Sequence, residues 1–265
     1  MLPFTESFLV WILSTTIPAL VGVTLIFIVG RRASPRLVAA FALGIFFWFF
    51  VDTIEGSSDL DVSAGFAGGI GQVAMVALFI VGVLVFFGLD SRLFNEEGGA
   101  PTVGLAVPFL AALAIGFHGF GEGTAFGSTA ALTSSASIMD AFGGVAAGAA
   151  YALHKMFEPM MVGALYVTWV GDNRGGAAAR SKDILLLTLL FVLPSILGAA
   201  TGYFISYDAT YFFALGTGTA IYTAFRLAKQ VFHVPSLPRT GEWLKVAAAV
   251  VLGFILIYLA ALLHS

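Results

Sequence analysis

The sequence predicts an all-α integral membrane protein of eight transmembrane helices, with both termini on the extracytoplasmic side. Three observations predict it. Hydrophobic residues make up 59% of the 265 and charged residues only 10%, against roughly 25% charged in a soluble domain. Apolar runs of about twenty residues recur from end to end, each long enough to cross roughly 30 Å of hydrocarbon as a helix. The basic residues also segregate, eleven of the 12 falling in alternate connections. The short alternating segments of an outer-membrane barrel are not seen.

Taken in order, the spans lie near 7–29, 36–54, 66–89, 102–127, 141–171, 184–205, 210–230 and 243–263, a single transmembrane domain over 1–265 with short connections. The first run has no basic segment before it and is too long for a signal peptide, so it reads as a retained span. Arg31, Arg32 and Arg36 follow the first span and Arg92 the third. Arg174, Arg180 and Lys182 follow the fifth; Arg226, Lys229, Arg239 and Lys245 flank the turn after the seventh. The opposite side carries Glu6, Asp59, Asp61, Asp140 and Asp208. By the positive-inside rule the termini then face away from the cytoplasm, in a multi-pass protein of the cell membrane. Cysteine is absent, which excludes disulfides and thiolate ligands. The net charge of −3 is too small to point to a partner. We expect the lipid bilayer as surroundings, no nucleic acid and no organic cofactor.

Between Gly116 and Pro159 the apolar pattern breaks twice in the same way. GFHGFGEGTAFG carries His118 and Glu122, and YALHKMFEPMM carries His154 and Glu158. Each pair is spaced i, i+4, so on a helix both members project from one face. Lys155 adds the twelfth basic residue in mid-span. Glu122, Lys155 and Glu158 together oppose membrane insertion by about 10 kcal/mol. Such residues face a protein interior or a wet cavity and have partners. Two His and two Glu suit a divalent first-row metal such as Zn²⁺, Mn²⁺ or Fe²⁺, with Cd²⁺ as a mimic. The plainer alternative is a polar network that glues two helices. A metalloprotease is the rival from another class. The H-E-x-x-H pattern is missing, and no further carboxylate in these motifs is left to activate water, so we expect no enzyme. Lys155 is either an ion-pair partner of the two glutamates or a group that changes its protonation state.

Small residues shape the same region. Gly119, Gly123 and Gly127 form a stripe at i, i+4, i+8, and Gly144 and Gly148 repeat the spacing on the fifth span; such stripes let helix backbones approach closely in lipid. Pro159 and Pro194 free the carbonyls of Lys155 and Leu190, which points to interrupted helices beside an ion site. Asp52 and Glu55 end the second span and can collect cations at a pathway entrance, whereas Asp59 and Asp61 read as a solvated loop. Trp11, Trp48, Trp169 and Trp243 read as interface anchors. Gln72 reads as an interhelical hydrogen bond, and His233 and His264 as incidental.

The two motifs resemble those of the ZIP family of divalent metal transporters, H-N-x-x-E-G on its fourth span and H-N/E/D-x-P-E-G on its fifth. Here they read His118-Gly119-Phe120-Gly121-Glu122-Gly123 and His154-Lys155-Met156-Phe157-Glu158-Pro159. Eight spans with outward termini is also the family's topology. Leu37–Glu55 looks like its second span and Phe213–Tyr222 like its seventh. The resemblance implies that His118, Glu122, His154 and Glu158 form the family's first metal site. Extra ligands for a second metal would come from three positions occupied here by Gly119, Lys155 and Ser195. The histidine-rich loop frequent after the family's third span is replaced by LDSRLFNEEGG. These departures support one hypothesis: the Lys155 ammonium stands where a second cation would be, leaving a mononuclear site.

The expected function is therefore transport of a divalent cation, inward, with zinc the first choice and iron, manganese and cadmium open. The resemblance implies alternating access by an elevator-type movement of spans one, four, five and six against a scaffold of two, three, seven and eight, within a homodimer. Uptake should weaken in acid, because protons compete for the ligands. A transport-inactive sensor or scaffold of the same fold, carriage of another small cation, and a metal-dependent membrane hydrolase remain as alternatives.

Overall fold

The structure is a computed structural model that describes residues 2–63, 70–93, 106–133, 137–173, 181–205, 208–232 and 240–262, without the side chains of 55–63, 70, 72, 92–93, 169–173 and 240. Among the described residues there are eight long helices: α1 (Phe4–Gly30), α2 (Pro35–Ser63), α3 (Ile70–Leu93), α4 (Ala106–Leu132), α5 (Val145–Asn173), α6 (Ser181–Phe204), α7 (Thr210–Phe232) and α8 (Thr240–Ala261). Six of them, α1, α2, α3, α4, α6 and α8, are long and apolar enough to cross a membrane. The chain is thus a helical, multi-pass membrane protein.

The other two helices are polar for a structural reason. α5 packs against α1, α2 and α4, and α7 against α2, α3 and α4. Their polar side chains are turned inward: Lys155, Glu158 and Thr168 on α5, and Thr217, Thr219 and Thr223 on α7, are all buried. A helix enclosed by neighbours need not be apolar all round. Thr219 Oγ1 donates to the Ala114 carbonyl at 2.6 Å, tying α7 to α4 one turn before His118.

The two ends of the bundle differ. At one end Arg36 Nε donates to the Val231 carbonyl at 2.9 Å, and its guanidinium lies 4.7 Å from the Trp243 ring centre. Asp90 there pairs with Arg226 and accepts from the Tyr222 hydroxyl at 3.0 Å, joining α3 to α7. Tyr166 donates to Asp183 and joins α5 to α6. At the other end the Leu2 amide donates to the Ala130 carbonyl, and Tyr203 donates to the Leu2 carbonyl. Arg31, Arg32 and Lys182 sit at the first end, the start of α1 at the second.

The glycine stripe on α4 is a backbone seam with α6. A Cβ at Gly116 would lie 2.6 Å from the Phe191 carbonyl oxygen, and one at Gly119 would lie 3.0 Å from Ser195 Cβ. At Gly123 and Gly127 it would overlap the carbonyls of Ser195 and Ala199. Gly198 and Gly202 of α6 meet Phe120 and Thr124 in return. The stripe expected on the fifth span has a different purpose. Ile138–Phe142 form a 3₁₀ turn, and Gly143 and Gly144 follow with φ of 81° and 110°. Gly144 has open space where a side chain would go, and Gly148 faces Phe142 and Met139. Gly143 and Gly144 turn the chain into α5, which begins at Val145 instead of near 141; left-handed φ is the requirement at these two, not helix contact. The prolines also depart from expectation: α5 and α6 run through Pro159 and Pro194 without interruption.

Because backbone atoms block the seam, Gly123→Val should cost about 1–3 kcal/mol or more. Thermal unfolding in detergent should register this as a lowered midpoint or loss of monodisperse protein. Gly88→Ala, where nothing lies within 4 Å, is the control and should unfold like the wild type.

Candidate metal centre

The i, i+4 spacing on α4 puts His118 and Glu122 on the face turned toward α5 and α7. On α5 the sequence supplies Tyr151, His154, Lys155 and Glu158 within two turns. The result is a buried polar cluster inside an otherwise apolar bundle. His118 is 2% exposed, Lys155 and Glu158 1% each, and the Glu122 side chain 18%.

Lys155 holds the cluster together. Its Nζ lies 2.6 Å from Glu158 Oε2 and also pairs with Glu122 Oε2, so one ammonium bridges carboxylates from two helices. The rings of Tyr151 and Phe191 lie 5.7 and 5.5 Å from Nζ, within cation–π range. Two buried carboxylates side by side would repel each other strongly; the ammonium offsets one of the two charges.

His118 is bracketed by rings from other helices, Phe49 at 4.8 Å edge-on and Phe213 at 5.3 Å. Gly216 lets α7 approach the His118 backbone. The imidazole has no hydrogen bond at either nitrogen, although Nε2 is 3.4 Å from Glu122 Oε1. Glu158 Oε1 is likewise buried without a hydrogen-bond partner. A buried polar atom left unpaired costs about 1–3 kcal/mol, so these atoms ask for a ligand.

One ligand atom each from His118, Glu122 and Glu158 lies within 4.8 Å of the others. Donors bonded to one metal at about 2.1 Å are roughly 3.4 Å apart in a tetrahedral arrangement. Closure by about an ångström would therefore suit the three to a single first-row cation. His154 is not in this group. It is 6% exposed and lines the cavity beside the cluster, so three of the four expected ligands come together and the fourth stands at their side. Of the positions implied for a second metal, Lys155 is in the cluster. Ser195 is in contact with Gly119, and its carbonyl and hydroxyl oxygens both accept from Trp11 Nε1 at 3.2 Å.

A cavity of about 750 Å³ leads to the cluster. Asp52, His118, Glu122 and His154 line it, with Trp11, Trp48, Phe126, Phe142, Tyr151 and Phe213 as aromatic walls. Along α4 the lining runs from Glu122 through Ala125 to Thr129, with exposure rising toward the end remote from Arg31 and Arg36. On the basic side of the cluster the bundle is packed with Ile115, Ala111, Met161, Leu165, Phe27 and Val38. The cavity thus approaches the cluster from the end remote from the basic residues.

Asp52 also lines this cavity. Glu55, Asp59, Asp61, Gln72 and Trp169 fall among the side chains that are not described, and His233 and His264 outside the described residues. Trp11 is not an interface anchor. Trp11 is 2% exposed and stacks on Phe126 at 4.4 Å and Tyr151 at 4.7 Å. Trp243, 36% exposed and under Arg36, does sit at an end. The aromatic wall was legible at Tyr151, one turn before Lys155, and at Phe126, one turn after Glu122; Phe142 carries no sequence signal that sets it apart from other apolar positions. No protein-family model and no curated protein matches the chain.

Removing the ammonium leaves two buried carboxylates uncompensated. Lys155→Met should lower unfolding stability by about 3–5 kcal/mol, measured by denaturation in detergent. Lys155→Met combined with Glu158→Gln should cost less than the two single changes summed.

Proposed function

We propose that this protein carries a divalent metal cation across the membrane through a single midplane site formed by His118, Glu122 and Glu158, with His154 beside it. The observation that carries the reading is the convergence of an imidazole and two carboxylates, with unpartnered buried atoms, at the inner end of a cavity that extends toward the end remote from Arg31 and Arg36. That is the arrangement of a carrier caught with its site exposed to one side. Zn²⁺ is the first choice, and the oxygen-rich donor set also accepts Mn²⁺ and Fe²⁺.

In this reading all eight helices cross the bilayer, α5 and α7 shielded by the other six. Both termini are extracytoplasmic, because the basic residues cluster at the opposite end. The cavity then opens outward and the packed half faces the cytoplasm. The chain is a divergent member of the ZIP family in this reading, and its motifs on α4 and α5 are the support. The tight α4–α6 seam and the packing of α1 on α5 and α6 favour α1, α4, α5 and α6 as the moving body, in a homodimer. The motifs lack the H-E-x-x-H pattern of a zinc hydrolase, which favours carriage over hydrolysis.

Vesicles containing the purified protein should accumulate Zn²⁺ from a panel of divalent ions, less so as the outer medium is acidified. Glu122→Ala should reduce the rate by at least about tenfold; uptake equal to that of empty vesicles in the wild type would sink the proposal. Metal analysis should find one ion per chain, since Lys155 holds the second cation's place. Two tightly bound ions in the wild type would refute that, and Lys155→Asp should admit a second ion.

A further inference from the structure

Resting on the transport reading, we propose that Lys155 is the tethered counter-ion that lets the emptied site change exposure, so that a transport cycle returns without a second ion or co-substrate. The ammonium already occupies the position a returning co-ion would have to take. It touches both carboxylates, one from α4 and one from α5, is 1% exposed, and lies against the rings of Tyr151 and Phe191. It travels with the site because it belongs to the same helix turn as Glu158.

The charge count gives the reason. Counting the two carboxylates and the ammonium of the cluster, the empty site carries one negative charge. A bound divalent ion makes it one positive charge. The self-energy of a charge in a poorly polarisable medium grows with its square, so the empty and loaded forms meet barriers of similar height in the packed half of the bundle. Without the ammonium the loaded site is neutral, and the empty site carries two negative charges, with about four times the self-energy of one. Passage of the loaded form then stays easy, while return of the empty form becomes the slow step.

The test compares two modes in reconstituted vesicles with radiolabelled Zn²⁺: net uptake with no metal inside, and exchange with unlabelled Zn²⁺ inside. Net uptake needs the empty return and exchange does not. In the wild type the two rates should agree within about threefold. In Lys155→Met exchange should persist while net uptake falls at least about tenfold below it. Adding Glu158→Gln to Lys155→Met returns the empty site to one negative charge, and should bring the two rates back within about threefold at a higher Zn²⁺ requirement. Net uptake and exchange that fall together in Lys155→Met, or keep the wild-type ratio, overturn the proposal. Should Lys155→Met not reconstitute as folded protein, the wild type and the double variant decide. Exchange more than about tenfold faster than net uptake in either overturns it. Wild-type vesicles showing neither mode remove the transport reading itself, whereas normal wild-type transport with an unchanged ratio in the variants removes only the role of Lys155.

Discussion

One ammonium group between two carboxylates sets the terms for the rest of this protein. Glu122 and Glu158 come from different helices, and each is costly to bury in a bilayer. Lys155 makes their burial tolerable, but only while α4 and α5 keep the register that brings both carboxylates to Nζ. The neighbouring packing serves that register. α6 lies against α4 along a seam of glycines too tight for side chains, and α7 approaches His118 through Gly216. Trp11 reaches from α1 to Ser195 on α6. α5 and α7, the two helices that are not apolar enough to cross a membrane by themselves, pack among the others, α5 against α1, α2 and α4 and α7 against α2, α3 and α4.

The bundle is divided at the cluster into unlike halves. Aromatic rings and a few carboxylates line the open half, and close-packed aliphatic side chains fill the other. The ends carry their own fastenings: Asp90 with Arg226 and Tyr222, and Tyr166 with Asp183, at the basic end. At the opposite end the start of α1 is held by Ala130 and Tyr203. A site placed at the boundary between wet and dry can be reached from one side and blocked from the other without any separate gate.

Much of this could be read from the chain itself, for identifiable reasons. A twenty-residue apolar run has few alternatives to a helix, so the eight elements and most of their limits were legible. The i, i+4 pairs were legible because ionisable residues in such runs are rare and the helix period fixes their face. The partnership of Lys155 with both glutamates was one of two readings that charge balance allowed, and the geometry shows the pairing. What could not be read depends on rotation about a helix axis. His154 shares a motif with Glu158, yet it ends up beside the three-residue group instead of in it. Trp11 looked like an anchor because it lies near a span end, but its face of α1 is turned toward α4 and α5. Gly144 matched a packing stripe by spacing alone, and only its positive φ shows the turn it makes.

The unequal halves also bear on electricity. Filled with water in a membrane, the cavity would carry the potential of its own side nearly to Glu122, and a voltage would drop mainly across the packed aliphatic half beyond it. A charge crossing that half would sense close to the full field, about 2.3 kcal/mol per elementary charge for each 100 mV. A cation moved between the cluster and the basic end would do its electrical work in that packed half, whichever cation it is.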